Sequence, residues 1–128
     1  ADIDIRALAE FHKKHGKIAT ITTVNIGQRF GVIDINEDGR IESFREKNDE
    51  DGSMINGGYM VMNPEVFDYI EGDHTVFEKE PLENLARDGQ LMAYYHKGFW
   101  KCMDTQRDKK SLEEMWQSNH APWKVWND

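Results

Sequence analysis

The chain has 128 residues, a length that fits one domain with one hydrophobic core. Its formal net charge of −8 argues against binding nucleic acid through a basic surface. Cys102 is the single cysteine, which excludes an internal disulfide, and no apolar run approaches the length of a membrane span. The composition therefore predicts a soluble protein of the reducing cytoplasm.

The first predicted element is a helix near the start of the chain. Asp2 or Asp4 can cap this helix, and Gly16 is a stop signal. The helix buries an apolar face if it follows the 3.6-residue period, which places four residues on that face: Ile5, Leu8, Ala9 and His12.

Two histidines of this helix, His12 and His15, lie three residues apart and could in principle hold a metal. They are separated by Lys13 and Lys14, and no carboxylate or thiol lies one helical turn from either histidine. Because a metal site needs more ligands than two imidazoles, we expect a solvated helix face here.

Strands are predicted after the helix. Residues 17–24 are rich in β-branched side chains, which suit a pleated sheet. Residues 32–36, 40–47 and 55–63 continue the strand pattern, although the alternation of apolar and polar side chains in residues 40–47 is imperfect. The first half of the chain is thus expected to be mainly a β-sheet.

The pair Asp38-Gly39 lies between two of these runs and predicts a hairpin turn. The alternative is a calcium-binding EF-hand loop, because Asp34, Asn36, Asp38 and Gly39 have the spacing of its first ligands. Arg45, however, stands where that loop needs its bidentate glutamate, and the flanking runs predict strands, not helices. We therefore favour the hairpin.

Helical segments are predicted after the strand that ends near residue 63. Pro64 can open a short helix, because its ring fixes φ at a value suited to the first turn. A longer helix is predicted from Thr75 to Arg87, with Thr75 and Glu78 as a capping box. Pro81 leaves two alternatives: a kink in this helix, or a short turn followed by a helix that starts at Pro81.

The last predicted elements are strand-like segments over residues 90–98 and 99–104 and a helix over residues 105–117. Asp104 lies where strand gives way to helix, so its carboxylate can cap the helix or reach a ligand at the end of the strand. The residues alone leave both roles open. The tail carries large aromatics that we expect to pack on the body or on another subunit: Trp116, Trp123 and Trp126.

The stretch from Asp38 to Asn63 carries the most plausible binding groups. Lys47 offers a point charge suited to a phosphate, and its neighbour Glu46 can accept hydrogen bonds from sugar hydroxyls. Asn56 offers an amide that both donates and accepts. It precedes Gly57 and a second glycine, which would let a ligand approach the backbone closely. The alternative for these residues is a surface ion pair and an ordinary β-bulge.

Five runs of residues also share their order and spacing with a known family, followed by the terminal HAPWKVW: GQRFGVIDI, FREK, INGGYMVMNPEVF, LARDGQLMAYYHKGFW and KCMDTQRDK. Together they resemble the second half of the sugar-1-phosphate nucleotidyltransferases over essentially the whole chain. The likeness is greatest to the members that use CTP and glucose 1-phosphate. Any one run is a weak signal, but five in register make the resemblance strong.

The resemblance implies an α/β fold: the C-terminal half of a Rossmann-like nucleotidyltransferase fold, with mixed, mostly antiparallel strands and flanking helices. It implies that glucose 1-phosphate and CTP react to give CDP-glucose and pyrophosphate in a homo-oligomer. The net charge and the lack of a long apolar run add the expectation that neither nucleic acid nor a membrane is bound. The implied roles divide between sugar phosphate and metal. Lys47 holds the sugar phosphate, Glu46 and Asn56 read sugar hydroxyls, Gly31 and Gly57 lie beside the sugar, and Asp104 helps to hold the catalytic Mg²⁺.

Two departures from the family pattern qualify these roles. The family commonly has a proline after the Glu-Lys pair, whereas this chain has Asn48, so the role of Glu46 is less secure than that of Lys47. The glycine-rich nucleotide loop of the family does not occur in these 128 residues, so the resemblance implies a separate N-terminal half that binds CTP. We therefore expect no turnover by residues 1–128 alone, and a non-catalytic assembly domain is the alternative.

Overall fold

The computed structural model describes residues 1–25, 32–45 and 54–127. In chain order they form helix α1 (Ile5–His15), strands β1 (Ala19–Asn25), β2 (Val32–Ile35), β3 (Ile41–Arg45) and β4 (Met54–Met62), a 3-10 helix (Pro64–Tyr69), helix α2 (Glu80–Arg87), strand β5 (Leu91–Tyr95) and helix α3 (Gln106–Gln117). These elements divide into two compact units: the sheet unit, residues 5–96, and the terminal unit, residues 1–4 and 97–127.

The described strands form one mixed sheet in the order β3-β2-β4-β1-β5. Strand β1 is antiparallel to β4 and parallel to β5, while β2 is antiparallel to both β3 and β4. The first six residues of β1 are buried, as expected of a strand covered on both faces. The predicted fold class, a mixed and mostly antiparallel sheet with flanking helices, is confirmed.

The apolar core of the sheet unit lies on one face of this sheet. Ala19 and Ile21 of β1 and Leu91 and Ala93 of β5 alternate along their strands onto the same face. Helix α2 and the 3-10 helix cover that face with three fully or nearly fully buried side chains: Val66, Leu82 and Leu85. Helix α1 lies on the other face, where it contacts Thr20 and Tyr94.

The predicted hairpin is confirmed: β2 and β3 pair antiparallel around a turn at residues 36–40. The side-chain oxygen of Asn36 accepts the backbone N–H groups of Asp38 and Arg40, each at 3.0 Å, and Gly39 has a positive φ of 85°. The side-chain oxygen of Asn36 is therefore engaged in stabilising the turn. Strands on both sides of the turn replace the helices that a calcium loop requires.

The helix predicted from Thr75 begins later, at Glu80. The hydroxyl of Thr75 accepts the N–H of Gly72 at 3.2 Å, so Thr75 stabilises a turn, and the predicted capping box with Glu78 is wrong. Pro81 occupies the first turn of α2, where its missing N–H costs no hydrogen bond. The alternative of a turn followed by a helix near Pro81 is confirmed.

The strand predicted over residues 99–104 is wrong. After β5 ends at Tyr95, residues 99–104 pair with no strand of the described chain. Instead Phe99 uses its carbonyl to accept the N–H of Asp2 at 3.2 Å and places its ring 5.9 Å from that of Trp123. The segment is held by aromatic packing within the terminal unit, which supplies no neighbouring strand.

The predicted docking of the tail tryptophans is seen for Trp123, which lies between Phe99 and Trp116, with ring centroids 5.9 and 6.5 Å away. Trp116 and Trp126 remain 50% and 49% exposed. The terminal unit therefore keeps an aromatic surface accessible. No helix in the described part of the chain is long and apolar enough to cross a bilayer.

The solvated face expected for the α1 histidines is wrong for His12, whereas the periodicity that placed His12 on the buried face of the helix is confirmed. His12 is buried, with 6% of its surface exposed, and its two ring nitrogens contact Thr20 and Asn63. Ile5, expected on the buried face, is 56% exposed. Thr20 of β1 and Asn63, the residue after β4, are the polar partners of His12 on the buried face of α1.

Candidate functional site

The predicted site residues fall in three places. Gly31, Glu46 and Lys47 lie outside the described residues. Asn56 and Gly57 lie in β4 of the sheet unit. Asp104 lies before α3 in the terminal unit. The convergence of Lys47 and Asp104 on one anionic ligand stays a prediction, and the geometry of each region is described by itself.

Strand β4 bulges where the sequence places its two glycines. The register with β1 passes from Ile21 opposite Met60 to Thr23 opposite Asn56, so residues 57–59 lie opposite Thr22 alone. Such an insertion bends the strand and frees backbone groups from the ladder. The bulge, residues 57–59, is thus confirmed as a distortion of the strand.

The two glycines of the bulge do different things. Gly57 is buried, and a Cβ built on it would lie 3.2 Å from the carbonyl oxygen of Thr22 and 3.3 Å from Cγ1 of Val24. Gly58 is exposed, has a φ of 91°, and meets nothing within 4 Å. The missing side chain of Gly57 makes room for β1, whereas Gly58 presents open backbone to solvent.

Asn56 holds the shape of the bulge. Its Oδ1 accepts the N–H of Gly58 at 2.9 Å, an Asx-type turn that fixes both residues. Its Nδ2 donates to no side chain or backbone group within the described ranges. Asn56 is therefore a prepositioned hydrogen-bond donor, since the acceptor half of its amide is already engaged.

Sequence reasoning missed Thr22. Its side chain is fully buried at the bulge, and its hydroxyl has no hydrogen-bond partner among the described residues. A buried hydroxyl without a partner carries a desolvation cost. The alternation of β1 places Thr22 on the α1 face, but the sequence carries no sign that one of three threonines lacks a partner.

The second region surrounds the start of α3. Thr105 is the N-cap: its hydroxyl accepts the N–H of Asp108 at 3.1 Å, and the Asp108 carboxylate accepts the N–H of Thr105 at 3.2 Å. This reciprocal capping box satisfies two otherwise unpaired helix donors. The alternative in which Asp104 caps the helix is therefore wrong, because Thr105 and Asp108 fill that role.

Asp108 is the buried anchor of this region. One of its oxygens accepts the N–H of Asp104 at 3.2 Å, and the other lies 3.7 Å from the Lys101 ammonium. Burial opposes ionisation, but the Asp104 N–H, the Thr105 side chain and the Lys101 charge outweigh it and lower the pKa of Asp108. Asp108 is thus an ionised structural group.

Asp104 itself is left available. Its backbone is fixed by Asp108, while its side chain is exposed and borders a cavity of about 290 Å³ with Met103, Thr105 and Lys109. A carboxylate that is held in place and engaged by none of the described residues can offer oxygen ligands to a hard cation.

A complete metal site does not form from the described residues: nowhere do three or more His, Cys, Asp or Glu side chains cluster in ligand geometry. Asp104 fits the chemistry of Mg²⁺, which usually takes one or two carboxylates plus phosphate oxygens and waters. It would be one ligand among several, the others being supplied by substrate phosphates and by groups beyond the described ranges.

The cavity beside the 3-10 helix does not coincide with the predicted site. A cavity of about 410 Å³ lies between the 3-10 helix and the start of α2, lined by side chains such as Tyr69, His74 and Lys79. It contains none of the predicted site residues. The predicted site residues that the structure describes lie at the bulge of β4 in the sheet unit and, separately, at the start of α3 in the terminal unit.

The chain is similar to known proteins over most or all of its length. The Nucleotidyl transferase family model matches residues 1–128. The chain is 53% identical over 126 residues to the glucose-1-phosphate cytidylyltransferase of Salmonella typhi, covering 98% of this chain and 49% of that protein. It is 42% identical over 127 residues to the "Probable glucose-1-phosphate cytidylyltransferase" of Bacillus subtilis, with the same two coverages.

Among solved structures, the chain is similar to HddC from Yersinia pseudotuberculosis, with a TM-score of 0.71 and 21% identity. The match covers 89% of this chain and 50% of that one, and at this identity it concerns the fold alone. The chain thus spans about half the length of the curated relatives and of the solved structure that it matches.

Proposed function

This chain belongs to the nucleotidyl transferase family, and we propose that it forms the sugar-phosphate half of a glucose-1-phosphate cytidylyltransferase. The observation that carries the proposal is the 53% identity over 126 residues to a relative of that name. In the proposed reaction a phosphate oxygen of glucose 1-phosphate attacks the α-phosphorus of CTP, pyrophosphate leaves, and CDP-glucose is formed.

The proposed contacts with the sugar phosphate combine one charge, two polar side chains and open backbone. Lys47 neutralises the phosphate, Glu46 and Asn56 bind sugar hydroxyls, and Gly31 and Gly57 lie close to the sugar. The engaged Oδ1 of Asn56 supports a donor role, because the free Nδ2–H can meet a sugar oxygen. A Cβ on Gly57 would point toward β1, so Gly57 would contact the sugar through its backbone groups.

The proposed metal contact is Asp104. Its carboxylate is exposed, and Thr105 caps the helix in its place. Both observations support a ligand role for Asp104. When bound, Mg²⁺ would neutralise charge on the phosphates and so assist the displacement. The chain's own part is to hold Asp104 in place through the hydrogen bond from its N–H to Asp108.

A chimera tests the proposal directly. Replacing the matched half of the Salmonella typhi enzyme by residues 1–128 should give a protein that forms CDP-glucose from CTP, glucose 1-phosphate and Mg²⁺. In this chimera Lys47→Ala should lower kcat/KM by about 100-fold, because it removes a charge that acts on the transferring phosphate.

The surface lysine Lys13, which is exposed on α1, provides the matched control, since Lys13→Ala removes the same charge at a position with no predicted substrate contact. A chimera with native circular dichroism that makes no CDP-glucose would overturn the proposal. Equal activity of Lys47→Ala and Lys13→Ala would remove Lys47 from the site.

Residues 1–128 alone should show no turnover, because no segment of this sequence resembles the loop that orients CTP. The measurement is CDP-glucose formation at high protein concentration, with the chimera as positive control. Sustained product formation by the isolated chain would refute the assignment of the CTP site to another half.

A non-catalytic assembly role is the second candidate, and the exposed aromatic surface of the terminal unit favours it. Met103, Trp116, Val125 and Trp126 are 49–71% exposed. Exposed apolar groups of this size often mark contact surfaces. Light scattering that gives a defined oligomer, lost on Trp126→Ser, together with no binding of glucose 1-phosphate by calorimetry, would favour assembly over catalysis.

A further inference from the structure

A closed set of five hydrogen bonds joins α1 to the sheet. The Lys17 N–H donates to Nδ1 of His15 at 2.8 Å, and Nε2 of His15 lies 2.5 Å from the hydroxyl oxygen of Thr20. That oxygen lies 2.8 Å from Nδ1 of His12, whose Nε2 lies 2.8 Å from Oδ1 of Asn63. The Asn63 Nδ2 donates back to the carbonyl of Lys17 at 3.3 Å. We call these five residues the polar ring.

The two backbone groups of Lys17 fix every proton in the polar ring. Its N–H can only donate, so Nδ1 of His15 accepts and the proton of that imidazole sits on Nε2. Its carbonyl can only accept, so the Asn63 amide nitrogen faces it and Oδ1 faces His12. The His12 proton is then on Nε2, and its Nδ1 accepts from the Thr20 hydroxyl.

This arrangement has no place for an additional proton on His15. A proton on Nδ1 would face the Lys17 N–H, placing two donors 2.8 Å apart. His12 in its neutral form likewise offers the acceptor that the buried Thr20 hydroxyl needs. Two neutral imidazoles therefore close the polar ring, and one imidazolium at position 15 breaks it.

Among the described residues, no negatively charged neighbour would compensate the positive charge of a protonated His15. His15 faces Phe11 and His12 on its own helix, Lys17 in the connection to β1, and Thr20 on β1. On its other side His12 contacts Asn63, an uncharged residue that follows β4. Within the described ranges no carboxylate pairs with either ring. Burial lowers the pKa of His15, and the positive charge of Lys17 lowers it further.

We propose that the polar ring is a proton-controlled latch, which holds α1 on the sheet at neutral pH and releases it when His15 gains a proton. Thr20 is the central link, because it joins both histidines of α1 to β1. Asn63 extends the latch to the residue that follows β4, 51 positions from His12. The latch is independent of the proposed sugar-phosphate contacts, so either proposal can fail alone.

The direction of the pH effect follows from linkage. A lowered His15 pKa means that the open state binds the proton better than the latched state. The latch is therefore fully closed above the ordinary imidazole value of 6.5 and weakens as the pH falls below it. For one excluded proton, the opening equilibrium should rise by about tenfold between about pH 7.5 and about pH 5.5.

Hydrogen exchange of the intact protein tests the latch. After correction for intrinsic exchange, protection of the α1 amides should fall by about tenfold over this pH range, while protection of α2, which contains no histidine, stays constant. His15→Asn keeps a side-chain acceptor near the Lys17 N–H but cannot be protonated, so it should abolish the pH dependence. An unchanged pH dependence in His15→Asn, or an equal loss of protection in α2, would overturn the proposal.

Two threonines on the same face of β1 provide matched variants. Thr20→Val removes the central hydroxyl and should lower α1 protection at pH 7.5 by at least about fivefold, whereas Thr20→Ser should not. Thr22→Val removes the hydroxyl without a described partner and should leave α1 protection unchanged or higher. Equal losses in Thr20→Val and Thr22→Val contradict the latch.

Nitrogen-15 NMR of the histidine rings gives a readout that packing alone would not predict. At pH 7.5 both His12 and His15 should carry their proton on Nε2. A proton on Nδ1 of His15 at this pH is incompatible with the polar ring.

Discussion

The bulge of β4 and the start of α3 differ in how each holds its predicted ligand-binding residue in place. In the bulge, Asn56 both shapes the backbone, by binding the N–H of Gly58, and supplies the predicted ligand contact through Nδ2. At the start of α3, Asp108 does the structural work and leaves the carboxylate of Asp104 exposed. Structure and binding are therefore coupled in one residue of the sheet unit but divided between two residues of the terminal unit.

Substitutions in the two regions should therefore have different consequences. A loss of function at position 56 mixes a backbone change with a lost contact, whereas position 104 can be altered with its backbone support intact. The following variants separate the two cases, and the enzyme assays refer to the chimera described above.

The largest effect is expected for Asp104→Asn. The carboxamide keeps the size of the side chain but removes the charge that a hard cation requires, so kcat/KM should fall by about 100-fold. The melting temperature should not change, because Asp104 caps nothing. Steady-state kinetics and thermal unfolding check both halves of the prediction.

Asp108→Asn is the matched variant. It should lower the melting temperature, because it removes the ionised acceptor of the Asp104 and Thr105 N–H groups and the partner of Lys101. If Asp104→Asn destabilises the protein as much as Asp108→Asn does, the division of labour at the start of α3 is wrong.

The next largest effect concerns the fit of the bulge on β1. Gly57→Ala places a methyl group against the Thr22 carbonyl and Val24 and should destabilise the protein by about 1–3 kcal/mol. Gly72→Ala is the control, since its new Cβ would meet only the side chain of exposed His74. Urea unfolding measures both, and equal destabilisation would show that Gly57 has no special packing role.

A smaller effect should separate the two functions of Asn56. Asn56→Asp keeps an oxygen for the Gly58 N–H but loses the Nδ2 donor, so stability should stay near the parent value while KM for glucose 1-phosphate rises. Asn56→Ala loses both and should cost about 1 kcal/mol in addition. A normal KM in Asn56→Asp would exclude the donor role.

The smallest effect is the response of the terminal unit to acid. The pKa of Asp108 is lowered from 3.8, so the stability that its ionised form contributes is present above pH 3.8 and is lost only as the pH falls through the lowered value. Exchange at the first turn of α3 should therefore stay slow down to pH 3.8. Acceleration well above that pH would contradict an ionised Asp108 anchor.

Local signals in the sequence located most of the fold. The turn at Asp38-Gly39, the stop at Gly16 and Pro81 in the first turn of α2 act through their own backbones or immediate neighbours, which is why their positions are readable from the chain. The bulge was foreseen as one alternative for the same reason, since paired glycines in a strand pattern favour it.

The candidate site was less readable. The residue types and the resemblance predict roles for Asn56 and Asp104, but they do not predict the neighbours of these residues. Thr105 is the N-cap of α3 because Asp108, three residues later, forms a capping box with it. Asp104 precedes the N-cap by one residue and so cannot take that role. The unpartnered hydroxyl of Thr22 depends on what lies across the sheet, which no local pattern specifies.

Most of the strands, turns and helices follow from the local sequence, because periodicity and turn chemistry act between residues a few positions apart. The tertiary structure alone decided which side chains pair. His12 is buried because Thr20 and Asn63, 8 and 51 positions away, offer it hydrogen bonds. Partners so far apart in the chain meet only when strands and helices pack, and so their chemistry is fixed by the fold.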